Sequence, residues 1–206
     1  MPKILLARHG HVEGISPERF RGQIDLTLTE TGLAQAAALA ERIGRKWRPA
    51  AIYTSPLQRC VATGEAIAAA TRAPCRALKS LIDLNYGAWQ GQTLEEVRNR
   101  SPSLLALWHS APHLVRFPRG ESLQDLAARA ADAIRFVLEH HHHDETVVLV
   151  SHDSVNRAIL LQILDQPLSA YWRLVQDPCA LNELEVTHSH ARALRINDTG
   201  HLANIS

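Results

Sequence analysis

Residues 5–14 read Leu5-Leu6-Ala7-Arg8-His9-Gly10-His11-Val12-Glu13-Gly14. An apolar run stops abruptly at an arginine, a histidine and a glycine, and a second histidine follows two positions on. The run starts at Lys3, and KILLA (3–7) has the compact, unalternating character of a strand buried on both faces. The residues alone allow three readings of His9. It is a catalytic group at a strand end, half of a metal-binding H-x-H with His11, or a hydrogen-bonded polar residue where the strand leaves the core.

Outward from this stretch, strands and helices alternate. Residues 29–47 have helical periodicity, with Leu33, Ala36, Ala37, Ala40 and Ile43 on one expected inward face. AIYT (51–54) is a second strand. Ser55-Pro56 then reads as an N-cap with proline at the first helical position, opening a helix to about Thr71. Residues 78–120 are less regular and are punctuated by glycine and proline, with short helices expected near 93–100 and 102–109. Ser122 and Asp125 form a capping-box pair before an apolar stripe of Leu123, Leu126, Ala127, Ala130, Ile134, Val137 and Leu138. TVVLVS (146–151) is the strongest strand signal, followed by a helix over 154–164, and 182–187 and 191–197 read as a hairpin at the sheet edge. This alternation predicts an α/β fold, a three-layer α/β/α sandwich with a mainly parallel central sheet. EHHHH (139–143) reads as the solvated end of a helix rather than a metal patch, because adjacent helical residues do not share a face.

The bulk properties narrow the function classes. At 206 residues the chain fits one domain, 1–206. A formal net charge of +1 argues against a general nucleic-acid partner, so anion binding has to come from a local arginine cluster. No apolar run approaches the length of a membrane span. Cys60, Cys75 and Cys179 are odd in number and outside any C-x-x-C, which suits reduced thiols. With no secretory leader pattern, the expected location is the cytoplasm.

Ligands of open α/β sheets sit at the carboxyl ends of the strands. Three expected strands end in polar sets: Arg8-His9, Ser55-Pro56 with Arg59 one turn on, and Ser151-His152-Asp153. Two guanidiniums recognise a phosphate or carboxylate through paired, charge-assisted hydrogen bonds. A neutral imidazole among them keeps a lone pair free to attack phosphorus. A second imidazole can stabilise the equatorial oxygens, and a leaving alkoxide needs a nearby carboxylic acid.

Arg8-His9-Gly10, Ser55-Pro56-Leu57-x-Arg59, Gly87-x-Trp89-x-Gly91, Gly120-Glu121-Ser122 and the late Ser151-His152 together resemble the histidine phosphatase superfamily, the phosphoglycerate-mutase-like group. The resemblance spans essentially the whole chain. It implies an α/β/α sandwich, no metal or other cofactor, and a phosphohistidine on His9, with Arg8, Arg59 and His152 in the phosphate pocket. It places the proton donor, usually a glutamate, at Asp83. Asp153 is the alternative, because another branch uses an aspartate directly after its late histidine, although Asp153 also sits where a helix N-cap belongs. Many relatives carry an asparagine six residues after the nucleophile, where this chain has Ile15.

The chain is short and its loop reads Gly22-Gln23-Ile24-Asp25, so a phosphatase acting on a small phosphomonoester is preferred to a mutase. The segments GQIDLTLTETG (22–32), PHLVRFPRGES (112–122) and the tail HLANIS (201–206) look similar to those of metal-independent phosphoserine phosphatases and, less closely, α-ribazole phosphatases of the same family. A lid is expected around 85–120, chiefly 102–120. Gln23, His113, Arg116 and His201 are candidate substrate-rim residues, the last through a tail folded back over the site. Glu13 and Arg21 read as rim or solvated, and Trp89, Trp108 and Trp172 as packing residues. The hairpin and Leu168–Val175 are candidate surfaces for a homodimer. A metal hydrolase using His9-x-His11 and a non-catalytic phospholigand-binding module are the rival readings.

Overall fold

The structure is a computed structural model, and it describes residues 2–15, 18–142, 144–186 and 190–205. A six-stranded sheet carries the architecture. Its strands are β1 (Lys3–Arg8), β2 (Pro49–Thr54), β3 (Cys75–Ala77), β4 (Thr146–Ser151), β5 (Leu181–Val186) and β6 (Ala191–Asp198). Their spatial order is β3-β2-β4-β1-β5-β6. The first four run parallel, while β5 is antiparallel to β1 and β6 to β5. The sheet is therefore mixed but mostly parallel, and the expected hairpin forms its edge.

Alternate residues of the central strands feed two separate cores. Ile4, Leu6, Val147 and Leu149 pack with α5 (Leu123–His140) and α6 (Asp153–Ile163). Leu5, Ala7, Val148 and Val150 pack with α1 (Glu30–Lys46) and α2 (Gln58–Thr71). Helices thus cover both faces, which is why these strands are apolar without alternation. Two more helices, α3 (Leu94–Arg100) and α4 (Pro102–Ser110), lie in the long β3-to-α5 connection. The capping box at the start of α5 forms as expected: the Ser122 side chain accepts from Asp125 N, and the Asp125 carboxylate accepts from Ser122 N.

Three details differ from the sequence expectation. The first is the face that α1 buries. Leu33 is 55% exposed and Ala37 is exposed, while Gly32, Ala36, Leu39, Ala40 and Ile43 point inward. The helix is rotated because Gly32 presses against the main chain after β1. A Cβ there would overlap the His11 carbonyl oxygen, and a Cβ on Gly10 would overlap the Gly32 carbonyl oxygen. Secondly, α2 begins at Gln58 with Leu57 as its cap, not at Ser55-Pro56. Asp25 Oδ1 accepts from Gln58 N at 2.7 Å and serves the helix start, while Ser55 Oγ accepts from Leu57 N at 3.4 Å and from His152 Nε2 at 2.7 Å. Thirdly, β3 is a real strand that the sequence reading passed over, since three partly exposed residues carry no periodic signal. Of the EHHHH tract, His140 ends α5, His141 donates through Nδ1 to the Glu145 carboxylate and faces Tyr53 Oη with Nε2, and His143 lies outside the described residues. Among the described residues, no helix is long and apolar enough to cross a membrane.

Candidate active site

Strand register builds the first half of the site. Arg8 pairs with Ser151, and Ala7 and Thr54 both pair with Val150, so β1, β4 and β2 end at one level. The ladder runs one step further through His9 N to Ser151 O at 2.9 Å and Ser55 N to Val150 O at 2.9 Å. His9, His152 and Ser55 therefore emerge side by side from three distant parts of the chain. The rings of His9 and His152 lie edge to face, 5.2 Å between centroids.

The hydrogen bonds assign the protons on both imidazoles. His9 Nδ1 is 2.7 Å from Gly10 O. A carbonyl oxygen only accepts, so Nδ1 carries the hydrogen and Nε2 keeps its lone pair. His152 Nδ1 accepts from Arg59 Nε at 3.3 Å, so its hydrogen is on Nε2, which donates to Ser55 Oγ at 2.7 Å. Both pKa values are held well below the usual histidine value. Burial is the largest cause for each; for His9 the neighbouring His152, Arg59 and Arg8 add to it, and for His152 the arginines 59, 8, 129 and 21. Both rings are thus neutral near pH 7.

Arg59 is fully buried and anchors the loop opposite, donating to Ile24 O and Gly22 O at 2.7 Å each. Its Nη2 also lies 3.3 Å from Asp83 Oδ2. Arg8 is buried as well and donates to Gln176 O, while its Nε has no hydrogen-bond partner among the described residues. An unpaired buried donor is costly, and an anion would satisfy it.

Asp83 belongs to this cluster. Its Oδ1 accepts from Leu84 N and from Ser154 Oγ, both at 2.8 Å, and its Oδ2 is 3.6 Å from His152 Nδ1. Asp153 is the first residue of α6, not its cap, which is His152. It pairs with Arg157 Nε at 2.9 Å one turn along the helix. A mostly polar cavity opens onto the cluster. Its wall includes Arg8, His9, Arg21, Asp83 and Asp153, together with Trp108 and Trp172. Arg59 and His152 lie behind that wall.

Of the two readings the sequence left for Arg21, rim or solvated, the structure takes the rim. It is half-buried in the cavity wall, and its Nη1 donates to Gly14 O. Burial and then Arg8 lower its pKa, while Asp83 opposes them. The local signal was the neighbour Phe20, which packs on Tyr86 and Trp89 at centroid distances of 5.3 and 4.9 Å and turns the loop inward. Glu13 is exposed, as expected.

The rim candidates scatter. Gln23 Nε2 donates to the Asp83 carbonyl at 2.9 Å and so touches the acid's main chain rather than the cavity. His113 and Arg116 do not line the cavity; Arg116 is exposed and pairs with Asp125 at 2.9 Å. His201 packs against α1 instead, 3.0 Å from Arg42 Nη1 and 3.1 Å from Cys179 O, so the tail does not fold over the site. His11 Nδ1 faces Thr29 Oγ1 at 2.9 Å, and the two histidines of H-x-H turn to different partners.

Comparison with known proteins gives the family and the fold. The family model described as Histidine phosphatase superfamily (branch 1) matches residues 4–199. The chain is 32% identical over 202 residues to Phosphoserine phosphatase 1 of Hydrogenobacter thermophilus, an alignment covering 98% of this chain and 95% of the relative. It is 36% identical over 163 residues to Metal-independent phosphoserine phosphatase of Arabidopsis thaliana, covering 78% and 68%. The solved structure of Bacillus stearothermophilus YhfR superposes with a TM-score of 0.92 at 28% identity, over 98% of this chain and all of that one.

Proposed function

The chain belongs to the histidine phosphatase superfamily, branch 1, and from that premise we propose that it hydrolyses a small phosphomonoester without a metal, through a phosphohistidine on His9. The observation that carries this reading is the 2.7 Å bond from His9 Nδ1 to Gly10 O, which leaves the Nε2 lone pair free on a ring beside a cavity lined with arginines. Nε2 attacks phosphorus, the P–N bond forms, and the P–O bond to the leaving group breaks. Asp83 gives a proton to the leaving alkoxide. The resulting carboxylate then takes a proton from water as that water attacks the phosphohistidine. Inorganic phosphate leaves and His9 is neutral again.

In this scheme Arg8, whose Nε has no partner among the described residues, binds the phosphoryl oxygens first, and Arg59 and His152 reach them by exchanging the carbonyl and Ser55 partners they hold in the free protein. His152 gains a proton as the phosphate dianion offsets the arginines that depress it, and then donates to an equatorial oxygen. Asp83 is preferred to Asp153 as the donor because it touches both Arg59 and His152, whereas Asp153 is paired away with Arg157. Arg21 has donors left for a second anionic group, so the favoured substrate class is a phosphomonoester that carries one. Residues 85–120, which contribute Tyr86 and Trp108 to the cavity wall, act as its cover.

The deciding experiment is phosphate release from p-nitrophenyl phosphate in excess EDTA, wild type beside His9→Ala. Turnover by the wild type alone is expected. Activity abolished by EDTA would favour a metal hydrolase, and tight phosphate binding without turnover a binding module.

A further inference from the structure

Asp83 has no regular element of its own. It lies between two short 3-10 turns, Lys79–Leu81 and Gly87–Trp89, where no sheet or helix ladder fixes the main chain. The carbonyls of this stretch converge instead on one guanidinium. Arg129, from the middle of α5, donates through Nη1 to Ser80 O at 3.1 Å and Ile82 O at 2.6 Å. Its Nη2 reaches Asp83 O at 3.1 Å. The remaining donors meet a carboxylate: Nε to Glu121 Oε1 at 2.8 Å and Nη2 to Glu121 Oε2 at 2.9 Å. All five N–H groups of the side chain are thereby used.

Glu121 extends the grip to the other side of Asp83. Its Oε2 also accepts from Asn85 N at 2.8 Å, and its main-chain N donates to Asn85 O at 2.9 Å. Both side chains are largely shielded from solvent. Gln23 and Ser151 add one bond each, to Asp83 O and Leu81 O. Among the described residues, only the Arg129–Glu121 pair holds the chain both before and after the aspartate.

We infer that Arg129 and Glu121 are positioning residues for the proton donor, setting where the Asp83 carboxyl meets the leaving-group oxygen. The inference rests on the reading of Asp83 as the general acid. A lysine at 129 keeps the charge but offers a tetrahedral set of three donors, which cannot span three carbonyls and a carboxylate. The loop would then be held less tightly, while the His9 end, fixed by the sheet, would stay in place.

Proton donation matters most for poor leaving groups, and that separates positioning from general structural damage. The test measures kcat/KM for an alkyl phosphate, β-glycerophosphate, and for p-nitrophenyl phosphate, whose phenolate leaves with little help. Arg129→Lys and Glu121→Gln are each expected to lower the alkyl-to-aryl ratio of kcat/KM by about tenfold or more, a fraction of the roughly 10²–10⁴ that general acid catalysis supplies. Asp83→Asn, measured beside them, should lower the ratio further. Proportional loss on both substrates, or no loss, in the Arg129 and Glu121 variants would overturn the inference while leaving the acid reading intact. An unchanged ratio in Asp83→Asn would overturn the acid reading first and the positioning with it. Should Arg129→Lys fail to fold, the milder Glu121→Gln decides the question by the same ratio.

Discussion

The two halves of the candidate site are held by different physics. The nucleophile end hangs from three adjacent parallel strands whose register is fixed by apolar residues buried on both faces. The acid end is an irregular stretch tied down by side chains, Arg129, Glu121, Gln23 and Ser151, reaching from three separate parts of the chain. A one-residue slip in register would send every side chain of the strand into the opposite core, where its size no longer matches, so the register resists single substitutions. A side-chain clamp rests on a few charge-assisted bonds, so one substitution loosens it. The first half is therefore robust and the second tunable.

Removing the sheet-held nucleophile should have the largest effect. His9→Ala is expected to lower kcat by at least about 10⁴-fold, the scale seen when a nucleophile is deleted, with every phosphomonoester tested and with little change in fold. Residual turnover that varied with leaving group would show that the acid end works without His9, and would break the division of labour.

Gly32→Ala attacks the scaffold of the same half. The added Cβ collides with the His11 carbonyl oxygen, main chain that cannot swing aside. Overpacking of this kind costs about 1–3 kcal/mol, which for a chain of this size lowers Tm by roughly 2–4 °C per kcal/mol. Thermal unfolding checks it. A neutral result would mean that the contact between α1 and the post-β1 turn is not what rotates the helix.

The pH dependence of stability reports on the buried rings. His9 and His152 have folded-state pKa values below their unfolded values, because burial and the arginines disfavour the charged form. Below about pH 6.5 the unfolded chain binds protons that the folded chain refuses, so stability falls as pH drops below that point and is fully present above it. The expected slope is about 1.4 kcal/mol per pH unit for each histidine. Urea unfolding at pH 7 and pH 5.5 should show it, and His152→Asn should make it shallower.

Arg21→Gln probes the seam between the halves, since Arg21 feels both Arg8 and Asp83. It is expected to raise KM about tenfold for substrates with a second anionic group, the loss of one charge-assisted bond, and less for p-nitrophenyl phosphate. Equal changes would assign Arg21 to the phosphoryl group itself. The smallest effect is expected from removing residues 200–206. The alkyl-to-aryl ratio and substrate preference should not move, because His201 packs on Arg42 and Cys179 and not in the cavity.

Much of this was legible in the sequence. The runs 3–7 and 146–151, the capping box at Ser122, and the polar sets after three strands are local signals, and local signals survive folding when they are strong. The polar sets put Arg8, His9, Arg59 and His152 at one sheet edge, whereas Asp83 came only from the family resemblance, because DLNYG carries no periodic or capping signal of its own. Arg21 was not legible, because its burial depends on Phe20 finding aromatic partners some 65 positions away. The inward face of α1 was misread, since Leu33 and Ala37 fit the helical period while a backbone contact at Gly32 set the rotation. Ser55 looked like a cap because Ser-Pro usually is one, yet its hydroxyl is taken by His152 across the sheet.

The sequence by itself determined the order of elements, the parallel α/β architecture and the residue types at each strand end, because periodicity and turn chemistry act over a few residues. Only the tertiary structure decided which nitrogen of each histidine carries its proton, that Arg59 serves the loop and the imidazole at once, and that Arg129 reaches back to the Asp83 main chain. Those outcomes depend on which donors and acceptors meet after burial. Such meetings are set by strand register and close backbone approach between segments far apart in the chain.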